Sequence, residues 1–274
     1  MNLITSDEQL RMLIPHVFAT VEGEPTLFET LYPFLETAEN WAINTFISEE
    51  VFPQLTEAEV APLTKLVAYH GYMSAVPSLD LVLTPNGFGI VSNTNVVPAS
   101  KERIERLLAS LESERDGNIE QLIIRLSSRA DWRQTQQGKY FASTLFPFLG
   151  MCRRLAIREH IWDSYQKLHE RLIKIESVLA ETYFSHEQMT VFRNHVITQL
   201  RNAKPLEEQV IRTLQSLEMM LVSEMQVHSQ SFYDLVNIIR EHEEVFPAWH
   251  SSPMVELYKP KVFENKKKSS AYWF

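Results

Sequence analysis

The sequence predicts a mainly α-helical fold: a helical bundle with long C-terminal helices and one β-hairpin insertion. Three observations carry this. Apolar residues recur at three- and four-residue spacing over most of the chain; capping boxes of the form Ser/Thr-x-x-Glu/Gln stand ahead of several such stretches; and one segment alone, Leu79 to Val97, alternates as a strand does. With 274 residues, 45% hydrophobic and 22% charged, the composition is globular, neither disordered nor that of a membrane protein, and large enough for a substantial core.

Ser6-Asp7-Glu8-Gln9 opens a short helix to about Ile14, ahead of Pro15. A second helix is expected over Thr26 to Ile47, with Leu27, Leu31, Phe34, Leu35, Ala38, Trp41, Ala42 and Phe46 on its buried side and Pro33 marking its true start. Thr56-Glu57-Ala58-Glu59 begins a third helix that runs to about Val76 and ends at Pro77.

The hairpin follows. Leu79, Leu81 and Leu83 alternate with Asp80, Val82 and Thr84, and Phe88, Ile90 and Ser92 lie beyond Pro85-Asn86-Gly87, a turn whose Asn-Gly tolerates positive φ. Gly89 permits a bulge. A phosphate-cradling role has only weak support, because G-x-x-x-x-G-K-[ST] is missing and Gly87-Phe88-Gly89 opens a second strand where a phosphate loop opens a helix.

Ser100 caps a helix carrying Ile104, Leu107, Leu108 and Leu111, with Gly117 a point of kink or break before Ile119, Leu122, Ile123 and Leu126. Thr135 to Gly138 reads as a loop. A long helix is expected from about Phe148 to Thr182, a shorter one from the Ser185-His186-Glu187-Gln188 box to near Ala203, and the longest from Pro205 to Phe246. The stripe of that last helix, from Leu206 through Leu214, Leu221, His228 and Leu235 to His242, keeps the period of a straight helix in a bundle and drifts from a strict heptad.

Three regions result: 1–99, helical with the hairpin at about 79–97; 100–247, a helical bundle; and 248–274, an extended tail. The tail carries Lys266-Lys267-Lys268 and ends in Tyr272-Trp273-Phe274, an aromatic cluster costly to leave in water, so it is expected to dock on its own domain or on a neighbour. Leu31-Tyr32-Pro33-Phe34-Leu35 and Leu145-Phe146-Pro147-Phe148-Leu149 echo each other, which duplication and coincidence explain equally well.

Charge and chemistry narrow the function classes. The formal charge of −9 argues against general nucleic-acid binding, although Arg125 to Arg171 holds nine Lys/Arg against four acidic residues; a solvated face or an acidic neighbour accounts for that excess better than DNA, and DNA contact is not predicted. No apolar run spans a bilayer, and MNLITSDEQL lacks the basic and apolar parts of a secretory signal, so synthesis in the cytoplasm is expected. Cys152, the lone cysteine, rules out an intrachain disulfide and reads as a small buried hydrophobe. H-E-x-x-H, G-x-S-x-G and EF-hand patterns are missing, and Ser164-Tyr165-Gln166-Lys167 lacks the K-T-G that would accompany an acyl-serine site. His160, His169, His186 and His195 do not share one helix face, so each reads as a surface or interfacial residue. His228 and His242 read as core or interface residues on the long stripe. No catalytic, cofactor-binding or metal-ligating residue is assigned.

The string from Asp80 to Asn93, the Val97-Pro98-Ala99-Ser100 that follows, Phe34-Leu35-x-x-Ala38-Glu39, Phe246-Pro247-Ala248-Trp249 and the aromatic C-terminus together resemble a family of uncharacterised structural proteins of Bacteroidetes phages and prophages. That resemblance implies a non-enzymatic virion protein of the head–tail connector or neck-adaptor type. It also implies a homo-oligomeric ring, with portal or tail components as further partners and no cofactor. On this expectation Phe88, Ile90, Lys266, Lys267, Lys268, Tyr272, Trp273 and Phe274 are the interaction residues. A cytoplasmic enzyme whose site forms only in three dimensions and a host helical interaction module are the alternatives.

Overall fold

The structure, a computed structural model, describes residues 3–14, 25–79, 81–84, 87–90 and 100–259, without the side chains of 81–84 and 87–90. The fold is mainly α-helical. It divides into two compact units, one of residues 1–173 with 193–202 and the other of residues 174–192 with 203–274.

In the first unit, α1 (Asp7–Leu13) starts where the Ser6 hydroxyl accepts from the Gln9 amide at 3.2 Å. Helix α2 (Leu27–Ala42) starts at a reciprocal box: the Thr26 amide donates to the Glu29 carboxylate at 2.7 Å and the Glu29 amide to the Thr26 hydroxyl at 3.2 Å. Pro33 therefore does not mark the start of α2. It stands inside the helix on the exposed side, where water can satisfy the carbonyl that loses its partner. A π-turn over Ile43–Ile47 ends the helix and buries Phe46 and Ile47.

Helix α3 (Glu57–Ala75) is boxed by Thr56 and Glu59 in the same way and packs against α2. The approach is close at Gly71, where a Cβ would lie 2.9 Å from Leu35 Cδ2 and 3.2 Å from Leu35 Cα. After α3, β1 (Leu81–Thr84) pairs antiparallel with β2 (Gly87–Ile90), with Leu81 opposite Ile90, Val82 opposite Gly89, Leu83 opposite Phe88 and Thr84 opposite Gly87. The turn residues Pro85 and Asn86 and the remainder of the expected hairpin to Val97 lie outside the described residues.

Helix α4 (Lys101–Leu126) packs along α3 and is unbroken at Gly117, contrary to the kink expected there. One glycine costs a helix about 1 kcal/mol, which cannot interrupt a segment that fully buries Ile119, Leu122, Ile123 and Leu126. The α3–α4 packing also runs across the expected 99/100 boundary, so the compact units divide elsewhere.

Thr135 to Gly138 is not a loop but the start of α5 (Gln136–Phe141), the Thr135 hydroxyl accepting from the Gly138 amide at 3.0 Å. Trp132, fully buried just before it, donates from Nε1 to the Phe46 carbonyl at 2.7 Å. Phe46, Phe141, Trp162 and Tyr165 complete an aromatic core, with Phe46 and Trp162 edge to face at 4.9 Å. The helix expected over 148–182 is two: α6 (Gly150–Arg154) and α7 (Ile161–Leu179), the second running on into the other unit. Between them Ala156 and His160 take left-handed conformations, φ 59° and 48°, which no helix accommodates. Pro33 thus lies within a long helix and Pro147 ahead of a five-residue one, so the two echoing motifs share no structural role.

The second unit contains the end of α7, a π-turn over Ala180–Phe184 and the start of α8 (His186–Ile197), where the Ser185 hydroxyl accepts from the Gln188 amide at 3.1 Å. Helix α8 stops short of the expected Ala203, because Gln199 and Leu200 are left-handed (φ 58° and 59°). The long helix expected from Pro205 to Phe246 is likewise two, α9 (Pro205–Val222) and α10 (Ser229–Glu241). Glu224 at φ 59° closes α9, Met225 is exposed, and His228 caps α10 at the surface, away from the buried stripe.

Residues 248–259 are not an extended tail. They form α11 (Pro247–His250) and α12 (Met254–Leu257), and bury Trp249, whose amide donates to Gln188 Oε1 at 3.1 Å and whose indole N–H donates to the Tyr183 carbonyl at 3.0 Å. No helix among the described residues is long and apolar enough to cross a membrane.

Candidate functional site

Helix α4 presents Glu105, Leu108, Ala109, Glu112, Ser113 and Asp116 at three- and four-residue spacing, which puts them on one face. Met73 in α3, Pro77 just after it, and residues 158–161, leading into α7, close a cavity of about 640 Å³ over that face. Its lining is mostly apolar, with Glu105, Glu112, Asp116 and Glu159 as its acidic residues.

Two of these carboxylates, Glu112 and Asp116, are held by a short chain of polar contacts. Arg115, almost wholly buried, donates from Nε to Asp116 Oδ1 at 2.8 Å and from a terminal nitrogen to Glu112 Oε1 at 3.2 Å. Asp116 Oδ2 accepts from the Trp162 amide at 3.2 Å. His160 Nδ1 lies 3.0 Å from the Glu112 carboxylate, and that contact raises the His160 pKa. Burial raises the Asp116 pKa, with Arg115 opposing it. Behind this chain His70 stacks on Trp41 at 4.0 Å, and burial first, then Arg115, pushes its pKa down to about 4.

His160 and Asp163 are exposed while Glu112 is half-buried, and one ligand atom from each lies within 4.8 Å of the other two. Glu112 stands 48 positions before His160, and only His160 and Asp163 are close in sequence. A search for ligands on one helix face passes over such a group, because its members come from two elements joined only by the fold. The sole local signal is the His160-Ile161-Trp162-Asp163 spacing at a helix start.

A second polar cluster is structural. His169 is fully buried, not at a surface or interface, with Ser143 Oγ 2.9 Å from Nε2 and Thr144 Oγ1 3.4 Å from Nδ1. The Ser143 hydroxyl proton is donated to the Tyr140 carbonyl at 2.7 Å. A neutral His169 with its proton on Nε2 satisfies these contacts, donating to Ser143 and accepting from Thr144 at Nδ1. Burial lowers its pKa to about 4. Cys152 is buried as expected, its thiol donating to the Ile161 carbonyl at 3.6 Å and pushed up to about 11, first by burial.

Among the described residues that line the cavity, none is a sequence-expected interaction residue. Phe88 and Ile90 occupy β2 opposite Leu83 and Leu81. Lys266, Lys267, Lys268, Tyr272, Trp273 and Phe274 lie outside the described residues. The basic excess over 125–171 is partly consumed within the first unit: Arg129 bridges Glu59 at 3.2 Å and Asp131 at 2.6 Å, and Arg153 pairs with Glu120 at 3.0 Å.

Residues 23–142 match a protein family described as a family of unknown function (DUF6712). The matched stretch includes α2 to α5, the strand pair and the Glu112–Arg115–Asp116 side of the cavity, but not His160 or Asp163. No curated protein and no solved structure matches the chain.

Proposed function

We propose that this protein is a non-enzymatic assembly protein of a tailed phage or prophage particle, a component of the head–tail connector or neck that forms a homo-oligomeric ring and also contacts other virion proteins. The observation that supports the reading is the strand pair between α3 and α4. Among the described residues β1 pairs with β2 alone. A two-stranded ladder is marginal by itself in water, and each outer edge offers unpaired backbone groups to another chain.

The two helices that flank the insertion already pack on each other. The ladder is thus not needed to join them, and its role lies in what it meets outside. A strand pair that docks on a different surface of the next subunit makes a heterologous contact, and such contacts close into rings when the rotation allows. The sequence resemblance to connector proteins points the same way. Phe88 and Ile90, two positions apart on β2, are the residues assigned to that contact.

Multi-angle light scattering and negative-stain imaging of the full chain test this. A uniform ring whose mass falls to that of a monomer in a Phe88→Glu/Ile90→Glu variant, with helical circular dichroism unchanged, is the expected result. A ring unaffected by the double substitution removes the hairpin from the interface.

A further inference from the structure

We propose that Glu112, His160 and Asp163 form a binding site for a divalent transition-metal ion, of the zinc or cobalt class, at the mouth of the cavity. Their donor atoms lie within 4.8 Å of one another, and His160 Nδ1 is 3.0 Å from each Glu112 oxygen. Metal–nitrogen and metal–oxygen bonds of about 2.0–2.2 Å set neighbouring ligands roughly 3 Å apart, so the His160–Glu112 spacing already suits a shared cation. The ion takes the place of the Nδ1 proton. One imidazole with two carboxylates favours zinc, cobalt or manganese over copper(I), which prefers sulfur, and over calcium, which prefers oxygen alone.

Independent features support it. Around the cavity and the triad stand five carboxylates, Glu105, Glu112, Asp116, Glu159 and Asp163, against two guanidiniums, Arg115 and Arg158, an imbalance that a divalent cation offsets. The ligands are also held by neighbouring groups. Arg115 fixes Glu112 through Oε1, and the Asp116–Trp162 hydrogen bond pins the first turn of α7, which carries Asp163 next to His160, against α4. Such outer partners orient metal ligands. His160 takes φ 48°, and its Nδ1 lies 3.0 Å from the Glu112 carboxylate. The cavity leaves room for water or a ligand at the remaining coordination positions.

The test uses the full chain, stripped with chelator and titrated with Co²⁺ by visible absorption and with Zn²⁺ by calorimetry. His160→Asn and Asp163→Asn are the informative variants, because both positions are exposed and asparagine tolerates the left-handed backbone at 160. The expected result is one saturable ion per chain, with affinity lowered about tenfold or more by each substitution. Equal binding by the parent and both variants assigns the ion to other residues. No saturable Co²⁺ or Zn²⁺ binding by the folded parent overturns the site. The reading does not depend on ring formation, which a separate mass measurement follows.

Discussion

Asp116 and Trp162 are joined by a hydrogen bond in which the carboxylate Oδ2 accepts from the tryptophan amide at 3.2 Å, tying the middle of α4 to the first turn of α7. The same carboxylate holds Arg115. Asp116→Ala therefore leaves a buried guanidinium with Glu112 as its remaining carboxylate partner and a helix-start amide with no acceptor. A loss of about 3 kcal/mol follows from removing one partner of a buried charge pair. Asp116→Asn keeps an acceptor for Trp162 and should lose less. Urea denaturation of the two variants separates the contributions.

Gly71 and Gly138 should both resist alanine, to different extents. At Gly71 the new methyl meets Leu35 Cδ2, which can move, but also the Leu35 backbone, which cannot. Overpacking of about 1–3 kcal/mol exceeds the gain of about 1 kcal/mol in helix propensity, so a modest net loss is expected. At Gly138 the Cβ would stand 2.1 Å from the Trp132 carbonyl oxygen, a rigid backbone atom. Melting temperatures should fall further for Gly138→Ala than for Gly71→Ala; the reverse order would contradict the packing described.

Trp132→Phe leaves the Phe46 carbonyl without the indole N–H that reaches it at 2.7 Å in a fully buried setting. The unsatisfied acceptor costs about 1–3 kcal/mol, and the smaller ring adds a cavity. Thermal or urea unfolding reads the sum.

Acid should weaken the fold through buried histidines. His169 and His70 both have folded pKa values of about 4 against an ordinary 6.5, chiefly from burial. Between those values the unfolded chain binds more protons than the folded one. The stability these residues contribute is therefore complete above about pH 6.5 and is lost as pH falls toward about 4. Unfolding midpoints measured across that window should decline with acidity, and His169→Gln should flatten the slope. An unchanged slope would place the proton uptake elsewhere.

The starts of α1, α3 and α8 were legible in the sequence, whereas Pro33 stood in for the start of α2, Thr135 read as a loop, and the helix breaks left no mark. Ser6 with Gln9 and Thr56 with Glu59 announce their helices because the side chains that satisfy the first amides are local. The breaks at Ala156, His160 and Glu224 use left-handed residues that are not glycine, so no residue type marks them. The apolar stripe resumes with nearly the same phase on the far side, as Leu221 to Leu235 does across the end of α9, and periodicity alone then reads one helix. His160 and Glu112 are neighbours only after α6 and α7 separate. Trp249 belongs to the core because Gln188 and Tyr183 reach it from sixty-odd positions away, a pairing hidden behind a Pro-rich stretch that reads as tail.

Removing Lys266 to Phe274 should weaken self-association without altering the helical spectrum, since the described core ends before that segment. Sedimentation of the truncated chain at several concentrations checks this. An oligomer of unchanged mass and affinity would exclude the C-terminus from the contact.

The most direct measurement is the mass of the full-length protein in solution beside that of its Phe88→Glu/Ile90→Glu variant. Assembly through the β1–β2 ladder predicts a closed oligomer of one size for the parent and a folded monomer for the variant. A parent that stays monomeric at every concentration, in the presence as well as the absence of candidate portal and tail proteins, would contradict it.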